Sequence, residues 1–196
     1  MAAEVRGASL AFLAMPVSSG EPVGPFPAGV DPVEYDKLRR RVLWTMPSGL
    51  YLVGSRSGVE RNLMTLNWAT QLSFEPKLVG ISVEQTAVTH RLIGESRAFS
   101  ICLVDREDRA IVRKFVKPAD VDVAALTVNG FAFRDGHVTG VPILAQAVAF
   151  LECQVEHHAA YGHHTLFVGE VVDCGFEKAE ETPVLRMEDT RMNYGG

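Results

Sequence analysis

No apolar run among the 196 residues approaches the roughly 20 needed to cross a bilayer as a helix. Basic excess is missing too. The 19 Lys and Arg stand against 24 Asp and Glu, and a formal charge of −5 gives no global field to recruit nucleic acid. The three cysteines, Cys102, Cys153 and Cys174, lie far apart and form no Cys-x-x-Cys pair, which disfavours a zinc framework, and their odd number disfavours a disulfide scaffold. They are expected as small buried hydrophobes on strands, in a reducing, cytoplasmic setting. Neither Gly-x-Gly-x-x-Gly nor Gly-x-x-x-x-Gly-Lys occurs, and strand–helix alternation is sparse, so the chain carries no separate dinucleotide domain of the parallel type.

What is present is a globular composition, 47% hydrophobic and 22% charged, with a length suited to one domain plus extensions. Pro16, Pro22, Pro25, Pro27 and Pro32, with Gly20, Gly24 and Gly29 between them, mark residues 1–30 as an irregular arm before a domain over 31–196. The apolar stretch Ala8–Val17 follows Glu4 and is interrupted by Pro16. It fits a flexible arm or a dimer extension better than a cleaved signal. Arg106, Arg109, Arg113, Lys114 and Lys117 read as a solvated helix face, with an anion or partner site as the alternative.

Strand signals dominate the domain. Asp31 can cap a short helix with Pro32 in its first position and Glu34 completing a capping box; it would run through Tyr35, Leu38 and Val42. Leu50–Val53 and Val59–Thr65 flank Ser57-Gly58 as a hairpin. Leu78–Glu84 and Ala98–Val104 alternate as half-buried strands, with Val79, Ile81 and Val83 on one face and Gly80, Ser82 and Glu84 on the other. Thr86 can cap a helix striped by Val88, Leu92 and Ile93 and closed by Gly94. Asp105 can cap another, with Ile111, Val112 and Phe115 inward and Pro118 ending it. Phe131–Arg134 meets a two-residue turn at Asp135-Gly136. Ala147–Glu156 and Thr165–Cys174 are long strands joined through a loop at Ala159–Gly162, and Pro183–Met187 adds a short one. Six or more strands with few helices favour a closed antiparallel barrel.

The least periodic segment is Asn62–Ser73, which mixes amides, hydroxyls and large apolar groups as it leaves a strand. Such an exit can hydrogen-bond the edge of a planar heterocycle, with Met64 or Trp68 packing on a ring; a plain strand and loop with capping polar residues is the alternative. Continued by Phe74-Glu75-Pro76-Lys77-Leu78-Val79, the segment resembles the flavin reductase-like family. The likeness extends through Leu78–Glu84, Gln85–His90, Phe99–Val104, Leu151-Glu152-Cys153 and Gly162–Val171. In that last run His164 matches the histidine of the family's Gly-Asp-His motif, and His163 stands in place of the aspartate.

The resemblance implies a mainly β, FMN-binding split β-barrel, an antiparallel Greek-key barrel with a few short helices. It implies a homodimer, FMN or FAD, and NADH or NADPH as hydride donor. In the diffusible-flavin form, reduced flavin then serves a partner monooxygenase. By the same resemblance Thr65, Leu66, Asn67 and Trp68 line the isoalloxazine, Ser82 and Glu84 approach the ribityl chain, and Gln85, Thr86, Thr89 and His90 hold the phosphate. A helix start suits an anion on physical grounds as well. His164 would lie where the nicotinamide stacks, or else be structural. A tight hairpin could bring His157 and His158 opposite His163 and His164 as a metal site, although plain hairpin-end residues account for most of them. Two other functions remain in view: a tightly bound FMN electron carrier without its own nicotinamide site, and a non-catalytic binding barrel.

Overall fold

A computed structural model describes residues 22–117, 119–190 and 192. The first 21 residues of the expected arm, and Pro118 as a helix stop, lie outside the described residues.

Helix α1 (Pro32–Leu43) starts as the sequence requires. The Asp31 side chain accepts from the Glu34 N–H at 2.9 Å, and Arg40 and Arg41 sit in the last turn, where they suit the helix dipole. None of its residues is buried, so α1 adds nothing to the core of the single chain. Strands β1 (Tyr51–Ser57) and β2 (Glu60–Leu66) form the expected hairpin, with Gly58 at φ +53 in its turn. Next come β3 (Ala69–Ser73), β4 (Leu78–Glu84), α2 (Val88–Ser96) and β5 (Ala98–Leu103). Short strands β6 (Val121–Asp122), β7 (Thr127–Val128), β8 (Phe131–Asp135) and β9 (Pro142–Leu144) precede the long hairpin of β10 (Ala149–Tyr161) and β11 (His164–Phe176).

The main sheet runs β2-β1-β5-β10-β11-β4-β3, and a smaller one runs β6-β7-β8-β9. All these pairings are antiparallel. The edge strands β2 and β3 are joined by Asn67 and Trp68 alone. Three Cα steps span at most about 11 Å. The seven-stranded sheet must therefore roll until its two edges nearly meet, and no pairing between β2 and β3 closes it. This is a barrel split at Asn67-Trp68.

One core fills the roll. Val79, Ile81 and Val83 of β4 meet Phe99, Ile101, Cys153, Val155 and Phe167, with Ile93 of α2 against them. A second core lies between the sheets and includes Leu52, Cys102, Phe115, Ile143 and Leu144. Each such side chain taken fully out of water is worth about 1.5–3 kcal/mol. Because the small sheet covers its other side, β5 is buried on both faces rather than on one.

Several expectations are corrected. Ala87, not Thr86, is the N-cap of α2, and no side chain caps it; the helix passes Gly94 and ends where Arg97 turns left-handed at φ 59. Asp105 does cap, accepting from the Glu107 N–H, but the chain beyond it forms two short 3-10 turns, Arg106–Asp108 and Ile111–Phe115, rather than one α-helix. β10 and β11 extend to a two-residue turn at Gly162-His163. The register then sets His157 opposite Val168 and His158 opposite Phe167, so the two histidine pairs do not face each other. Pro183–Met187 makes only isolated bridges, Gly49 to Arg186 and Asp105 to Val184. Cys102 and Cys153 are buried, but Cys174 is exposed near the end of β11.

Asp135-Gly136 is not a two-residue turn either, because tertiary partners widen it. Asp135 makes a two-pronged ion pair with Arg61 at 2.8 and 2.9 Å. The loop between β8 and β9 wraps the fully buried Glu152 carboxylate, which accepts from His137 N (2.7 Å), Thr139 N (2.8 Å) and Thr139 Oγ1 (2.7 Å). Burial alone would raise the Glu152 pKa; the hydrogen bonds from Thr139, Val138 and His137 prevail and hold it below its ordinary 4.5. Glu152→Gln turns one acceptor into a donor aimed at donors and should cost about 2 kcal/mol in a urea titration at neutral pH. A depressed folded-state pKa makes this stabilisation full above the unfolded value and lost as pH falls through the folded one. The gap between wild type and variant should accordingly narrow below pH 4.5, and a gap constant with pH would refute the carboxylate's role.

Candidate functional site

The seam is where the backbone has to leave one sheet edge and reach the other. The Trp68 carbonyl accepts from Ser82 N at 3.0 Å, anchoring the start of β3 to β4, and Ala69 N donates to the Asn67 carbonyl at 3.1 Å. These bonds push the Asn67 side chain inward. Only 5% of the residue is exposed, and its buried Oδ1 has no hydrogen-bond partner. An unpaired buried amide oxygen costs about 1–3 kcal/mol, so such an atom at a recess points to a ligand donor.

Asn67 stands between two recesses. The first, about 280 Å³, has Met64, Leu66 and Asn67 along one wall. Its other parts are Glu84, the chain from Thr86 to Thr89 entering α2, and Lys117. The second, about 600 Å³, follows the outer face of β3, β4 and β11. Register places Thr70 beside Gly80, and Ser82 beside Leu166, on that face. Trp44 and Met46, from the stretch after α1, wall its far side. Met187 and Met192, carried in by the C-terminal segment, border both recesses.

A small hollow of about 40 Å³ at the seam gathers Thr65, Leu66, Asn67, Trp68, Ser82, Glu84 and His164. These are residues the sequence singled out from three separate stretches. His164 pairs with Glu84 across β11 and β4, and its ring lies 4.8 Å from that of Trp68, tilted by 60°. Burial lowers the His164 pKa, helped by His163 and opposed by Glu84, so at neutral pH the ring is an uncharged donor and acceptor.

Other expected ligands behave differently. The Thr65 hydroxyl is taken by the Val112 carbonyl. Thr89 is fully buried and accepts from Asn62 Nδ2 at 2.8 Å; it borders the first recess but is no exposed first-turn residue, and a charged side chain there would break the core. His90 turns the other way, its Nε2 2.9 Å from Thr165 Oγ1 and its ring against Phe167, with burial the main cause of its lowered pKa. Gln85 is exposed and reaches the His164 carbonyl at 3.5 Å. Neither His90 nor Gln85 borders the 280 Å³ or the 600 Å³ recess. Lys117, Met187 and Met192 do border them, and sequence reasoning missed all three as site residues. Lys117 had shown only as one of a basic group, and the methionines carried no local signal.

Known proteins share this sequence pattern and fold. An NADH-dependent FAD reductase of Streptomyces globisporus is 34% identical over 146 residues, 73% of this chain and 77% of that protein. The structure of the NADH:FAD oxidoreductase of Streptomyces globisporus C-1027 with NAD and FAD fragments superposes with a TM-score of 0.67 at 30% identity, covering 80% of this chain and 90% of that one. The styrene monooxygenase flavin reductase of Pseudomonas putida S12 gives a TM-score of 0.61 at 26% identity, with 71% and 87% covered. The flavin reductase like domain matches residues 43–195, and on that match the chain belongs to the flavin reductase-like family.

Proposed function

We propose that this protein is an NAD(P)H-dependent flavin reductase, acting on FMN or FAD and supplying reduced flavin to a partner monooxygenase. The observation that carries the reading is the buried, unpartnered Asn67 Oδ1 at the junction of the two recesses. A flavin ring presents a matching imide donor, and the apolar Met64 and Leu66 suit its faces. Bound flavin supplies the redox chemistry, accepting hydride from the nicotinamide. The protein's share is position: Asn67 orients the ring edge, the α2 start receives the phosphate, and neutral His164 beside Trp68 offers a flat surface for the nicotinamide. Relatives named as NADH-dependent reductases and as the reductase component of a styrene monooxygenase support this activity.

A homodimer in the cytoplasm completes the reading. The dimer is supported by α1, whose Leu38 (44% exposed) and Val42 (58%) are uncovered in the single chain. One sample tests these points together. Sedimentation should give a species of about twice the 21.4 kDa chain, and anaerobic addition of NADH to protein with FMN should bleach the flavin's visible band. Tightly held FMN that NADH leaves oxidised would favour the electron carrier instead. No flavin binding at all would leave the non-catalytic barrel.

A further inference from the structure

We infer that Lys117 holds the flavin's terminal phosphate and makes the site prefer phosphorylated flavins over riboflavin; this rests on the flavin reductase reading above. The 280 Å³ recess carries two unlike features. One is the buried Asn67 oxygen with no partner, which calls for a donor. The other is the start of α2, where no side chain caps the Ala87 position and the first turn carries no acid. Free first-turn N–H groups and the positive end of the helix dipole favour an anion there.

Among the described residues bordering this recess, Lys117 is the cation and Glu84 the acid. Glu84 repels a phosphate, so the helix start needs an opposing charge. Lys117 is placed to give it. Among the described residues its ammonium has no ion-pair partner, whereas Arg106, in the same basic stretch, is held by Asp189 at 3.1 Å. The fold brings Lys117 to this place because Ile111, Val112 and Phe115 bury themselves in the second core and fix the 3-10 turn just before it. Lys117 itself stays exposed, so its substitution spares the core. A molecule suited to this recess carries a ring donor for Asn67 and an anion for the start of α2 and Lys117. FMN meets both demands and riboflavin only the first.

Dissociation constants for FMN and riboflavin, from flavin fluorescence on the full chain, test the assignment. Wild type should bind FMN more tightly, and added salt should erode that preference. Lys117→Gln should weaken FMN about tenfold while leaving riboflavin unchanged, and Lys117→Arg should restore much of the difference. Equal loss for both flavins, or unchanged FMN binding, would overturn the role of Lys117 with the flavin site intact. A wild type that binds FMN and riboflavin equally at every salt concentration overturns it without any variant. Failure of the wild type to bind either flavin removes the reductase reading itself, and this inference with it.

Discussion

Gly54→Ala should destabilise the protein by about 3–5 kcal/mol, a large share of the stability of a domain this size. A Cβ at Gly54 would stand 2.0 Å from the Pro142 carbonyl oxygen and 2.3 Å from Ser100 Oγ. Both are held by the 2.6 Å bond that buried Ser100 donates to Pro142, the contact fastening β9 of the small sheet across β1 and β5 of the large one. Nothing at that point is the free end of a flexible chain. The small sheet must lift, breaking a buried hydrogen bond and opening the packing around Ile143 and Leu144, and overpacking and lost bonding add. Urea unfolding measures the cost, with Gly94→Ala as control, since a Cβ on that exposed helical glycine meets nothing within 4 Å and should be neutral or slightly stabilising. A Gly54→Ala midpoint equal to that of the wild type would show that the sheets are not fastened here.

Elements governed by their own residues could be read from the sequence. The alternation of β4, the Asp31 cap and the β1–β2 hairpin are local patterns, and the structure keeps them. What could not be read depends on distant partners. The Asp135-Gly136 signal is sound locally, but Glu152 takes the loop's N–H groups and Arg61 takes the Asp135 carboxylate. Thr89, given to the phosphate by resemblance, is instead buried and bonded to Asn62 on another strand. β3 went unnoticed because it is an edge strand with polar and apolar residues exposed together, so it shows no clean period. At the site, the motif residues around the seam were legible through resemblance. Lys117, Met187 and Met192 were not, because only tertiary packing brings them to the recesses.

His164→Ala should lower kcat/KM for NADH by 10- to 100-fold, about 1.4–2.7 kcal/mol of transition-state stabilisation, with FMN affinity nearly unchanged. The ring stands at the entry of β11, where register ties it to Glu84 and packing ties it to Trp68, and it borders the seam hollow rather than the recess assigned to the flavin. Loss of the imidazole thus removes an orienting surface for the second substrate and leaves the first substrate's contacts in place. His163→Ala is the control. That side chain is exposed in the turn, and what the residue contributes is its carbonyl, which accepts from Gln85 N at 2.9 Å and survives the substitution. Acid adds an independent readout. Burial holds the His164 pKa below 6.5, so the wild-type rate should persist to lower pH than an ordinary histidine would allow and fall only when the ring gains its proton. The His164 variant should lack that acid limb, since no imidazole remains there to titrate. A normal rate in His164→Ala, or an equal loss in both variants, would return this histidine to a structural role in the hairpin.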